Sequence, residues 1–222
     1  RANRLRQEVL LGVGGVRVLR LLGLEPTVFH LNEGHSAFLQ LERMRELVEE
    51  QGLSADEAIE RLRASTVFTT HTPVPAGNEV FDPDLLRAAL GGLVERCGLA
   101  WDDFVALGKI DPDESGFGLT PFALRTAKYA NGVSELHGAV SREMWHGLWP
   151  EKRVDQVPIT SVTNGVHQRT WISGELEVLL GDTDPQFERA RELPPEDLWA
   201  ARRRGKERLL RYVATTRGVR GT

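Results

Sequence analysis

Three short stretches gather amide, imidazole, hydroxyl and carboxylate groups directly after apolar runs. They are HLNEGHS (30–36), FTTHTPVPAGNE (68–79) and SVTNGVH (161–167). Each holds a His or Asn together with a glycine, which permits close backbone approach. Donors and acceptors of this neutral kind, set at many angles, suit a ligand dense in hydroxyl groups, such as a sugar. Metal chemistry is not indicated. Histidines 30, 35, 71, 137, 146 and 167 form no HExxH pair and no zinc-type pairing with Cys97. No GxSxG elbow is present, and GVGG at 12–15 neither follows a strand nor has phosphate-loop spacing. Taken singly, each His also reads as a helix cap or a hydrogen-bonded core imidazole. Glu33 likewise reads as a carboxylate favoured by a helix N-terminus.

The elements that must carry these groups alternate in type. Leu5, Val9, Val13, Val16 and Leu19 recur at helical spacing, so a helix is expected over 5–22. Its internal glycines, Gly12, Gly14 and Gly15, suggest close packing. PTVFHL reads as a strand opened by Pro26, followed by a helix over 36–50 that Gly52 caps. SADE at 54–57 is a capping box, and STVFTT is a second strand. Asp82 caps a helix that has Pro83 at its first position, and Thr120–Pro121 repeats that device. GVSELH is expected as a third strand, GAVSREMW as a helix and ITSVT as a fourth strand. Strands alternating with longer helices imply βαβ units and a parallel sheet with helices on both faces. Ligands of such sheets bind beyond the carboxyl ends of the strands, where the three polar stretches fall.

The chain of 222 residues is 41% hydrophobic and 27% charged, with a net charge of −4 and one cysteine. That profile is globular, carries no footprint for nucleic acid or an anionic membrane, and excludes an internal disulfide. A reducing, cytoplasmic compartment fits the lone Cys97. No apolar run approaches the ~20 residues that span a bilayer. The first residues read as the middle of a helix and not as a signal peptide, so an internal piece of a longer protein is expected. The C-terminal RRRGKERLLRYVATTRGVRGT reads as a basic, solvated helix that decays into Thr, Gly and Arg. A polar, proline-bracketed break at 149–158 separates residues 1–157 from 158–222, and the residues after TNGVHQRTW read as the start of a second unit, too few for a core of their own.

PTVFHLNEGHSAF, VFTTHTPVPAGNEVF, ANGVSELHGAVSREMW and ITSVTNGVHQRTW, in that order, resemble the α-glucan (glycogen/maltodextrin) phosphorylases, particularly their bacterial short type. The resemblance runs from Arg6 to about Trp199. It implies an α/β fold of GT-B type, a Rossmann-like parallel sheet flanked by helices and incomplete here. Residues 1–157 would be the C-terminal part of the N-terminal domain. Residues 158–222 would be the crossover and the first helices of the C-terminal domain. The implied reaction is phosphorolysis of an α-1,4-glucan by inorganic phosphate, giving glucose 1-phosphate, with pyridoxal phosphate as cofactor. By the same resemblance His71 contacts the glucose ring and lends its backbone carbonyl to the developing positive charge, which makes it the catalytic candidate. Asn164 binds the hydroxymethyl side, and Asn32 lies in the same sugar loop. Glu33 stands where animal-type enzymes carry Asp, and His35 positions that acid. The cofactor lysine and the phosphate-holding basic residues of the family have no counterpart here, so no cofactor-binding residue and no metal is expected in this stretch. The resemblance leaves a homo-oligomer of the full-length enzyme open. A GT-B glycan synthase using a nucleotide sugar, or a non-catalytic glucan-binding module, are the alternatives.

Overall fold

The computed structural model describes residues 2–181 and 187–218, which fold as two compact units, Arg1–Asn164 and Gly165–Thr222. In unit 1 the chain opens with α1 (Ala2–Val9), a π-helical turn (Leu10–Gly14) and α2 (Gly15–Leu21). Leu5, Val13 and Val16 are buried along one side, as their spacing predicts. The π turn lies where the glycines cluster, and Gly12 explains one of them. A Cβ there would stand 2.6 Å from the Leu39 amide nitrogen and 3.0 Å from the Phe38 carbonyl carbon. Gly15 has open space around it, so close packing accounts for only part of that cluster.

Strand β1 (Phe29–Asn32) leads through a 3-10 turn (Gly34–Ser36) into α3 (Leu39–Gln51), which ends at left-handed Gly52 with φ of 71°. Next come α4 (Ala55–Ala64), β2 (Thr66–Thr70), β3 (Val80–Phe81) and α5 (Pro83–Arg96). The Ser54 hydroxyl accepts from the Glu57 amide, and the Glu57 carboxylate accepts in return from the Ser54 amide. The Asp82 carboxylate accepts from the Asp84 and Leu85 amides, directly before Pro83. The first unit continues with α6 (Trp101–Leu107), β4 (Phe117–Gly118), α7 (Leu119–Arg125), β5 (Tyr129–Gly132), α8 (Glu135–Met144) and β6 (Ile159–Ser161).

Four strands form one parallel sheet in the order β1-β2-β5-β6. Phe29, Leu31, Phe68, Ala130 and Ile159 face the core, whereas His30, Asn32, Tyr129 and Thr160, which alternate with them, are exposed. Helices therefore shield one face of this sheet, not both, and the open face is polar. β3 and β4 pair as a separate antiparallel ribbon. Phe38, Phe81, Phe104, Phe117 and Phe122 pack together between that ribbon and the helices, with ring centroids 4.7–6.4 Å apart.

Three local expectations are corrected. The third strand is Tyr129–Gly132, not GVSELH, because Ser134 caps α8 and draws 135–144 into a helix. Thr120 is inside α7 and not its cap. The helix starts at Leu119 after Gly118, and the Thr120 hydroxyl donates to Asn78 Oδ1 instead. The strand after Pro26 begins only at Phe29. The β3–β4 ribbon and α6 had no distinct signal in the sequence.

Unit 2 contains α9 (Gln168–Trp171), α10 (Gly174–Leu180) and α11 (Pro195–Gly218). The Arg208 guanidinium pairs with Glu175 and ties α11 to α10. The expected decay of the basic helix does not begin at Thr215. Helix continues through Gly218, and the Thr215 and Thr216 hydroxyls donate back to the Arg211 and Tyr212 carbonyls. Residues 219–222 of that expectation lie outside the described residues. No described helix is long and apolar enough to cross a membrane.

Two outcomes follow for stability. Gly12→Ala forces a methyl group into the backbone of 38–39, and unfolding in urea should show a loss of about 1–3 kcal/mol. Glu42 is buried between Arg17 at 2.8 Å and Arg45 at 3.0 Å. Burial alone would raise its carboxyl, but the hydrogen bonds from both arginines outweigh that and hold it below its ordinary 4.5. Its stabilising effect is therefore complete above pH 4.5 and is lost as pH falls through the lower folded value. Glu42→Gln should cost about 2 kcal/mol at pH 7. Its stability should also fall less steeply than that of the parent below pH 4.5, as followed by circular dichroism.

Candidate functional site

The register of the sheet decides where the polar stretches go. Asn32 pairs with Thr69, Thr70 with Gly132, and Gly132 with Ser161. The four strands thus end nearly level, and the residues after them leave one edge side by side. Glu33 donates its amide to the Thr69 carbonyl, extending the β1–β2 ladder by one step. Beyond β6, the Val162 amide reaches the Gly132 carbonyl at 2.9 Å and the Asn164 amide reaches the Val133 carbonyl at 3.1 Å. His71 follows β2 on the other side of β5. Neighbouring strands lie ~4.8 Å apart, so the backbones of His71 and Asn164 are separated by about two strand spacings, roughly 10 Å.

Asn32, Glu33, His71 and Asn164 therefore share one edge. Asn32, His71 and Asn164 are exposed, and among the described residues none of their side chains is hydrogen-bonded to protein. They remain available to a ligand. Glu33 is different. It is 9% exposed, and its Oε1 accepts from the backbone amides of His71 and of Thr72, the latter at 2.7 Å, with the Thr70 hydroxyl at 3.5 Å. Glu33 is also the one non-glycine among the described residues with positive φ, at 62° with ψ of −177°. That conformation costs on the order of 1–3 kcal/mol. Gly34 follows because a Cβ there would stand 2.9 Å from Leu119 Cβ.

His35 turns away from the edge. Its Nδ1 lies 2.8 Å from an Arg4 guanidinium nitrogen and 3.2 Å from Glu8 Oε1. It thus touches the first helix and not Glu33. Arg4 also pairs with Glu79, so the loops after β1 and β2 are both fastened to α1. Burial raises the Glu8 carboxyl above its ordinary value, against the lowering effect of His35 and Arg4. His167, expected in the third stretch, belongs to unit 2, where its Nδ1 lies 2.7 Å from the Thr170 hydroxyl.

One contributor went unnoticed in the sequence. β5 ends at the same edge between His71 and Asn164, and buried His137 supports it by accepting the Val133 amide at Nδ1, 3.2 Å away. The imidazole proton then sits on Nε2, which is buried without a partner among the described residues. The signal was the Ser134-x-x-His137 spacing of a helix cap, in which the Ser134 hydroxyl accepts the His137 amide. Behind β1, His30 Nε2 meets the Thr69 hydroxyl at 2.7 Å, and that hydroxyl donates to Asn131 at 2.9 Å, linking β1, β2 and β5 by side chains.

The edge is open, not a closed pocket. A groove of about 1070 Å³ belongs to unit 2 alone, between α9 and α11. A hollow of about 430 Å³ in unit 1 lies instead beside the β3–β4 ribbon. Among the described residues no cluster of His, Cys, Asp and Glu could hold a metal ion. The buried Cys97 thiol, pushed up to about 12 by burial, is not a nucleophile.

No protein-family model matches the chain. Curated relatives do. A glycogen phosphorylase of Mycobacterium tuberculosis is 42% identical over 230 residues, and a maltodextrin phosphorylase of Thermococcus litoralis is 38% identical over 222 residues. Each match covers 95% of this chain and 26% of the relative. A glycogen phosphorylase of Aquifex aeolicus is 36% identical over 95% of the chain and 32% of its own length. Across 95% of its length the chain is homologous to the maltodextrin and glycogen phosphorylases, and it spans about a quarter to a third of the relatives it matches.

Proposed function

We propose that this segment supplies the sugar-orienting edge of an α-1,4-glucan phosphorylase, an enzyme that cleaves glycogen or maltodextrin with inorganic phosphate and releases glucose 1-phosphate in the cytoplasm. The observation that carries this reading is the identity of 36–42% to named phosphorylases over nearly the whole chain. The convergence of Asn32, Glu33, His71 and Asn164 on one strand edge supports it. In this reading residues 1–157 are the C-terminal part of the N-terminal GT-B domain. Residues 158–222 are the crossover, opening with β6, and the first helices of the C-terminal domain. The compact unit that ends at Asn164 keeps β6 in the first sheet.

The division of labour follows from what the edge contains. Its one acid, Glu33, is committed to backbone amides, and its one free base is the exposed His71 imidazole. What it offers is dipoles. The Asn164 amide can hold the hydroxymethyl side of a glucose unit, and the Asn32 amide a ring hydroxyl. The His71 carbonyl can face charge that develops as the glycosidic bond breaks. Donors and acceptors fixed before the reaction act most strongly in the transition state, since they need no reorganisation. In this reading phosphate, not the His71 imidazole, brings the proton to the leaving oxygen.

Pyridoxal phosphate, which the family uses, does not fit the residues present. Lys109 donates to the Pro112 carbonyl, Lys128 lies over the Tyr129 ring, Lys152 pairs with Glu151, and Lys206 is on α11 of unit 2. No lysine of unit 1 stands at the strand edge, so no step is assigned to the cofactor here. The synthase alternative is not favoured, since the relatives named above are phosphorylases.

The intact enzyme should release glucose 1-phosphate from maltodextrin and phosphate with no ADP- or UDP-glucose. A strict need for a nucleotide sugar would overturn the reading. Asn164→Ala should lower turnover by about 100-fold, the ~3 kcal/mol of one transition-state hydrogen bond. Weaker sugar binding at unchanged turnover would count against that role.

A further inference from the structure

We infer that Glu33 is a positioning residue: its buried carboxylate sets the direction of the His71 peptide, and through it the carbonyl that faces the sugar. This rests on the phosphorylase reading and assigns Glu33 a different task from direct sugar binding. The geometry is specific. One oxygen, Oε1, takes the amides of both His71 and Thr72. Two successive amides pointing at one anion fix the orientation of the intervening peptide plane, and the His71 carbonyl is part of that plane. Rotation of the peptide would turn the carbonyl away from the edge and strip Oε1 of its Thr72 donor.

Two further observations support a dedicated role. A glycine would adopt φ of 62° without penalty, yet the chain keeps a glutamate there. Backbone ease therefore does not account for the residue at this position. Second, the hydrogen bonds of the carboxylate all use Oε1, and Oε2 has no protein partner among the described residues. Both amide donors of the turn after β2, with the Thr70 hydroxyl, thus meet on a single oxygen.

The test uses the full-length enzyme. Phosphorolysis of maltoheptaose by the unsubstituted protein comes first, and its absence overturns the phosphorylase reading while leaving the role of Glu33 to hydrogen exchange. Glu33→Gly keeps the backbone conformation and deletes the acceptor. We expect amide exchange in 70–73 to quicken at least tenfold and kcat to fall about 100-fold. Tm should stay within a few degrees and KM for glucan within about threefold. Glu33→Gln keeps an uncharged acceptor and should recover part of kcat, which separates positioning from bulk destabilisation. Unchanged exchange in both variants, or a loss confined to KM or to Tm, would overturn the inference. Should Glu33→Gly fail to fold, Glu33→Gln decides the matter by the same exchange and kcat–KM readouts.

Discussion

Parallel strands that end level with one another impose the main constraint on this molecule. In an antiparallel sheet successive strand ends alternate between edges, and the polar stretches after β1, β2 and β6 would have scattered. Parallel pairing sends every carboxyl end to the same side, and the registers Asn32–Thr69, Thr70–Gly132 and Gly132–Ser161 keep the ends within a residue of a common line. The hydrogen bonds just past the strands continue that order. Glu33 reaches Thr69, Val162 reaches Gly132, and Asn164 reaches Val133. Convergence of the site is thus a property of the sheet, and the loops only choose which groups to present.

Having converged, the loops must be held, because irregular backbone has no ladder of its own. Three devices serve here, and two of them join segments distant in sequence. His137 grips the turn after β5, Arg4 bridges α1 to Glu79 beyond β2, and Glu33 grips the turn after β2. The Glu33 device runs against a backbone cost of on the order of 1–3 kcal/mol. Hydrogen bonds to a charged group contribute about 1.5–3 kcal/mol each. Two of them, about 3–6 kcal/mol together, cover the strain, so the glutamate is tolerated at that φ.

The elements legible in the sequence were those whose signal is local. The capping box at Ser54, the Asp82–Pro83 start, the Gly52 stop and the β-branched strand at Thr66–Thr70 depend on neighbours within four residues. The polar strand ends were legible for a similar reason, as an abrupt change of composition. What escaped depends on distant partners. Thr120 looks like a cap beside Pro121, but Asn78 claims its hydroxyl. GVSELH is the exception: its Ser134-x-x-His137 helix start is local, but the apolar residues around it read as a strand. The β3–β4 ribbon consists of two residues on each side, held by an aromatic cluster drawn from four segments. Within the site, the sequence marked Glu33 and His35 as a pair. The fold separates them, sending one carboxylate to the amides after β2 and one imidazole to the first helix.

This separation bears on what kind of catalyst the edge can serve. A glucose unit is neutral and carries its hydroxyls in all directions, so recognition needs many modest dipoles and little net charge. The edge meets that need with amides, a carbonyl and a carboxylate whose one oxygen is already committed to backbone. A free acid at the same place would hydrogen-bond a hydroxyl more strongly in the ground state, which lowers KM without raising turnover. On the proposed reading, tying the acid to the His71 peptide converts its charge into orientation of a carbonyl that acts once positive charge develops on the sugar. A buried charge also resists solvent screening better than an exposed one. On the proposed reading the edge acts on the transition state through geometry, and the reagents that move protons are carried elsewhere in the enzyme.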